Sequence, residues 1–178
     1  AAALLREHAA SPAACAGDVL LCGHSYGGMV ALEAARQWLD GAAPPTTNLR
    51  GLVLLSTVAS AQGDGARAAM ARRRELALAD GLQAEVDASW GAMVHPASLA
   101  PEAMEAVRRA RDANAHDAGL ESFLRQLDAI DARPCQHETL HRLAARGVPV
   151  LVVHGKDDAL APLAEARQTA ASCGAAGE

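Results

Sequence analysis

Three stretches of the chain are continuously apolar: residues 18–22 (DVLLC), 51–56 (GLVLLS) and 147–154 (GVPVLVVH), each bounded by glycine, proline or polar residues. Short unbroken runs of this kind are the pattern of strands buried on both faces. After Gly23 the spacing changes. Met29, Val30, Leu32, Ala35 and Leu39 fall near a 3.6-residue period, and Asp40-Gly41 followed by Pro44-Pro45 closes that helix. Residues 1–10 read as an earlier helix, stopped by Ser11-Pro12. Strand, helix, strand in this rhythm predicts parallel strands joined by crossover helices, hence an α/β sheet.

The long middle, residues 62–146, has no strand pattern and several helical ones. Leu76, Ala79, Leu82, Val86 and Trp90 form one stripe, and Pro101 with Glu102 beside it opens another helix. Leu120, Phe123, Leu124, Leu127 and Ile130 form the clearest stripe. A helical block between two sheet strands is expected to be a lid or cap. The expected division is therefore a core part over 1–61, a helical insertion over 62–146 and a second core part over 147–178.

Composition narrows the class without naming a chemistry. The chain has 178 residues, half of them hydrophobic, yet only four are aromatic (Tyr26, Trp38, Trp90, Phe123), so Ala, Leu and Val must build the core. A net charge of −5 with interspersed signs excludes a nucleic-acid surface and an anionic-membrane anchor. The triplet Arg72-Arg73-Arg74 and the group Arg108, Arg109 and Arg111 read as solvated helix faces pairing with Glu75 and Glu105. Cys15, Cys22, Cys135 and Cys173 have neither CxxC spacing nor metal-ligand partners and read as reduced thiols of a cytoplasmic protein. Cys22, within an apolar run, is expected to be inert packing.

One serine stands apart. Gly23-His24-Ser25-Tyr26-Gly27 fits G-x-S-x-G, with a strand pattern before it and a helix pattern after it. A strand turning sharply into a helix strains its apex residue, so the flanking positions Gly23 and Gly27 must lack a Cβ. The apex hydroxyl then stands at the carboxyl end of the strand. There the helix N-terminus, through the backbone N–H of Tyr26, faces any negative charge that develops on an acyl oxygen.

The segment VLLCGHSYGGMVALEAA resembles the nucleophile elbow of the α/β-hydrolase superfamily, and VPVLVVHGKDDALAP resembles its acid-bearing strand and loop. RQLDAIDARP is similar to a cap segment of many bacterial members. The resemblance spans essentially the whole chain and implies a partial α/β-hydrolase fold with an inserted helical cap. In that superfamily the catalytic acid follows the strand as G-x-x-D. Gly155-Lys156-Asp157-Asp158 puts Asp158 on that position, with Asp157 and Asp64 as alternatives and helix capping by Asp157 and Asp158 as the non-catalytic explanation.

A serine hydroxyl is inert without a base. The superfamily order is serine, acid, histidine, but no histidine follows Asp158. His8, His24, His95, His116, His137, His141 and His154 all precede it, and no spacing argument brings any of them to Ser25; each is expected to be a packing, surface or cap residue. No Gly-rich loop precedes Asp18 to supply a second oxyanion donor. The expectation is a central part of a longer hydrolase whose base lies outside these residues, leaving this chain by itself inactive. The resemblance implies cleavage of an ester-like bond (carboxylester, lactone or related) in a small apolar molecule, with no metal or organic cofactor. A non-catalytic binding module of the same fold is the rival reading. Reading the source DNA past Glu178 separates the two: an apolar strand followed by Gly-His is expected, and an immediate stop codon favours the binding module.

Overall fold

The computed structural model describes residues 17–42, 47–94 and 100–174. Its elements in chain order are β1 (Gly17–His24), α1 (Tyr26–Leu39), β2 (Thr47–Leu55), α2 (Asp64–Asp80), α3 (Leu82–Met93), α4 (Pro101–Asp131), α5 (His137–Ala145), β3 (Val150–Val153) and α6 (Leu163–Ser172). They fall into two compact units, one from Ala1–Ala61 with Ala132–Glu178 and the other from Gln62–Asp131. The helix expected over residues 1–10, its Ser11-Pro12 stop and the Pro44-Pro45 stop lie outside the described residues.

The first unit is a parallel sheet in the order β1-β2-β3. Parallel registry puts paired residues on the same face, so the pairing itself sorts the side chains. Leu21 pairs with Leu52 and Leu52 with Val150, on the face that α1 and α5 cover. Leu52, Leu54, Leu140 and Leu143 are fully buried there, packed with Leu32, Ala35 and Leu39 of α1. Truncating one such leucine to alanine costs about 2–5 kcal/mol.

The opposite face is uncovered by any described residue of this unit. Cys22 pairs with Val53 and Val53 with Leu151, while His24 pairs with Leu55 and Leu55 with Val153. On this face Leu20 is 65% exposed, Leu151 57% and Val153 47%. Two expectations are corrected here. The runs 18–22 and 150–153 are not buried on both faces, because double burial needs helices on both sides of the sheet. Cys22 is exposed, not packed, since it points to the open side of an outer strand. Cys173, by contrast, packs against the core and gives its thiol to Thr169 O, and burial pushes that thiol up to about 11.

An acid lies within the apolar stripe of α1. Glu33 is 3% exposed and accepts hydrogen bonds from Arg36, Gln37 and Gln136. Burial pushes its carboxyl up, but those bonds and the Arg36 charge outweigh it and hold it below the usual glutamate range. Gln136 precedes α5, so the buried carboxylate ties the helix after Ser25 to the helix that covers β2.

In the second unit the stripe from Leu76 to Trp90 spans two helices, because Gly81, at φ 89°, ends α2. α4 begins at Pro101 as expected, but Gly119, at φ 71°, breaks it. Arg73 pairs with the 2%-exposed Glu85 at 2.6 Å instead of with Glu75, and Arg74 pairs with Asp128. Arg109 does pair with Glu105. Arg108 reaches Asp87, and Arg108 and Arg111 both stack over Trp90. The insertion expected over 62–146 thus divides after Asp131: residues 132–146 group with the sheet, since Leu140 and Leu143 belong to its core. Among the described residues no helix is long and apolar enough to cross a membrane.

The open apolar face should drive the 178-residue chain to self-associate when it is produced as it stands. Light scattering is expected to show species larger than a monomer. Replacing Leu151 and Val153 by lysine should shift them toward monomer. A wild-type monomer with one sharp thermal transition contradicts this.

Candidate active site

Ser25 lies between β1 and α1 with φ 51° and ψ −119°, a conformation that costs an L-residue roughly 1–3 kcal/mol. Tertiary hydrogen bonds hold it there. Its N–H donates to Leu55 O at 2.9 Å, and its carbonyl accepts from Thr57 Oγ1 at 2.8 Å and from Gly28 N at 3.0 Å. The residue is exposed, so the backbone is fixed while the hydroxyl remains accessible. Tyr26 occupies the first position of α1, at the positive end of the helix dipole, and burial raises its phenol above the ordinary value.

One strand along, Ser56 repeats the geometry. It follows β2 with φ 41° and donates its N–H to Val153 O at 2.9 Å. The carboxyl ends of the three strands are therefore laced together in order. The strand-end residue His154 follows β3, about 10 Å from the elbow at two strand spacings of ~4.8 Å.

The loop that carries the candidate acid begins at His154. Asp158 Oδ1 accepts from Leu160 N and Ala161 N, both at 2.9 Å, and Asp158 N donates to Gly155 O at 3.2 Å. Its side chain is 17% exposed, whereas Asp157 is exposed. Asp64 opens α2 in the helical unit with its side chain fully in solvent, 3.8 Å from Arg67. Of the three acids only Asp158 is built into the rim of the sheet with one oxygen committed to the backbone.

The alpha/beta hydrolase family model matches residues 1–176. The chain belongs to the alpha/beta hydrolase family. No curated protein matches the sequence. Among solved structures, a thermophilic esterase from Thermogutta terrifontis, solved with malate bound, is 25% identical with a TM-score of 0.68. The match covers 88% of this chain and 53% of that one. A structure from a study of carboxylesterases of Nitrososphaera gargenis is 17% identical with a TM-score of 0.68, covering 89% of this chain and 54% of the other. An esterase from Rhodococcus sp. ECU1013 is 23% identical with a TM-score of 0.59, covering 86% and 53%. The chain thus spans about half the length of the solved structures it matches.

Within this chain, no imidazole among the described residues hydrogen-bonds the Ser25 hydroxyl; His8 and His95 lie outside them. His24 is exposed beside Ser25, His116 reaches Asp117, and His141 lies 4.0 Å from Glu138. His154 hydrogen-bonds Ala161 O, as its place at a strand end suggests. His137 departs from expectation. It starts α5 in the sheet unit, half-buried, with Nε2 3.1 Å from Ser60 Oγ and Nδ1 2.8 Å from Ser172 Oγ, and Ser60 in turn donates to Glu165 at 2.5 Å. Loop 56–60 brings Ser60 to the other three residues, which no local pattern announces.

The elbow glycines also need correction. A Cβ on Gly23 would lie 2.2 Å from Gly27 O, as the sharp turn demands. A Cβ on Gly27 meets nothing within 4 Å, whereas one on Gly28 would lie 2.6 Å from the Thr57 side chain. The second tight approach is thus against the loop after β2, one residue later than the motif indicates.

Gly27→Ala is therefore expected to leave stability unchanged or raise it by up to ~1 kcal/mol, as alanine does in a helix. Gly28→Ala should cost about 1–3 kcal/mol by overpacking, and Gly23→Ala at least as much. Urea denaturation of the three variants reads the order.

Proposed function

We propose that this chain is the nucleophile-and-acid half of a serine hydrolase that cleaves an ester-like bond, carboxylester or lactone, of a small apolar substrate. The observation that carries the reading is Ser25, exposed at φ 51° at a strand end and held there by Leu55 and Thr57. A protein keeps a strained exposed serine at a cost, and a nucleophile facing substrate is the use that repays it. The esterases among the structural matches support the same bond class.

In this reading Ser25 Oγ attacks the acyl carbon as an imidazole takes its proton. Asp158 orients that imidazole through Oδ2, the oxygen not committed to Leu160 N and Ala161 N, and stabilises the imidazolium. The Tyr26 N–H and the dipole of α1 stabilise the oxyanion, and the protonated imidazole then releases the alcohol. Water repeats the sequence on the acyl-enzyme. The imidazole comes from a part of the enzyme outside these 178 residues. Location in the cytoplasm rests on the cysteine usage.

A non-catalytic module of the same fold is the second reading, favoured by the absence of any described imidazole at Ser25 Oγ. Assays of the full-length protein with short-chain p-nitrophenyl esters decide between them. Ser25→Ala and Asp158→Asn are each expected to lower kcat by about 10³-fold or more with the fold intact. Asp157→Asn should stay within a few-fold of wild type. Hydrolysis unchanged in Ser25→Ala, or absent in the wild type, favours the module.

A further inference from the structure

His154 carries a buried polar atom that its surroundings do not satisfy. Its side chain is 4% exposed, yet Nδ1 has no hydrogen-bond partner. An orphaned buried nitrogen is destabilising, a penalty an aliphatic side chain of similar size avoids. Packing alone is therefore a poor reason for a histidine at this position, and the other ring nitrogen supplies a better one. Nε2 lies 2.6 Å from Ala161 O. A carbonyl only accepts, so Nε2 carries the hydrogen of that bond and Nδ1 is left without a partner.

That single bond closes the acid loop on itself. Ala161 gives its N–H to Asp158 Oδ1 and receives the His154 N–H on its carbonyl. Leu160 N and Gly155 O add the remaining ties to Asp158. The same Nε2 lies 3.8 Å from Asp158 Oδ2, too far for a hydrogen bond but near enough for its N–H dipole to bias where that oxygen rests. One carboxylate oxygen is thus consumed by the backbone and the other is steered without being capped.

We infer that His154 is a positioning residue: it anchors residues 154–161 to the end of β3 and presents Asp158 Oδ2 as the one oxygen available to the catalytic imidazole. The inference rests on the reading of Asp158 as the triad acid. His154 is not itself the base. Its ring is sealed from solvent, its proton is given to Ala161 O, and Ser25 stands two strands away.

The test uses the full-length protein and p-nitrophenyl butyrate. His154→Leu fills the space without a donor, and His154→Gln keeps an amide N–H within reach of Ala161 O. His154→Leu is expected to lower kcat about 10- to 100-fold, since an ångström of misplacement in a catalytic group has effects of this order, while KM changes less than about 2-fold. His154→Gln should recover most of the loss. Amide exchange at Leu160 and Ala161 should quicken in the Leu variant and return toward wild type in the Gln variant. Wild-type kcat in His154→Leu, a loss that Gln does not restore although it folds, or unchanged exchange at both amides overturns the inference. Ser25→Ala and Asp158→Asn run alongside keep the two claims apart. If they leave hydrolysis intact, the triad reading fails. If they abolish it while His154→Leu is fully active, only the role of His154 fails.

Discussion

The hydrogen bond from Ser25 N to Leu55 O is the contact on which the site depends. It joins the end of β1 to the end of β2 at the residue where the chain leaves the sheet. With Thr57 holding the Ser25 carbonyl, it keeps φ at 51° against the roughly 1–3 kcal/mol preference for an ordinary conformation. The same device recurs from Ser56 N to Val153 O. The parallel sheet thus does more than carry a serine. By pairing strand ends in order, it sets the spacing between elbow and acid loop before any side chain is chosen.

The helix after Ser25 is anchored from behind. Its apolar stripe packs Leu32, Ala35 and Leu39 against β2, and the buried Glu33 carboxylate ties it to Gln136 ahead of α5. A charge this deep is tolerable only because Arg36, Gln37 and Gln136 surround it. Removing Arg36 or Gln136 alone leaves that charge less compensated and is therefore destabilising. The contrast between the two sheet faces has the same origin: helices α1 and α5 bring their stripes to one side, and Leu20, Leu151 and Val153 stay open on the other.

Histidine placement shows how tertiary context redistributes one residue type. His137 bridges Ser60 and Ser172 between α5 and α6, His154 closes the acid loop, and His116 and His141 stay in solvent. His137 and His154 are held by hydroxyl or carbonyl oxygens instead of by a nucleophile. His137 connects segments distant in sequence, reaching Ser60 over 77 positions and Ser172 over 35, whereas His154 closes a local loop on Ala161.

By itself the sequence determined the class of the sheet, the three strands, the helix after Ser25, the helical character of the middle and the two motif-bearing loops. These follow from local periodicity, from glycine and proline punctuation and from short motifs, all of which act within a few residues. It also singled out Ser25 and Asp158 as candidates, because a sharp strand-to-helix turn and a G-x-x-D loop have local signatures. Only the tertiary structure decided that Gly28 and not Gly27 is crowded, since the obstacle is Thr57. It alone showed that Cys22 faces outward, that residues 132–146 join the sheet, and that Arg73 pairs with Glu85. Each of these depends on which distant segment arrives at a given face, and neither spacing nor composition encodes that arrival in the residues that receive it.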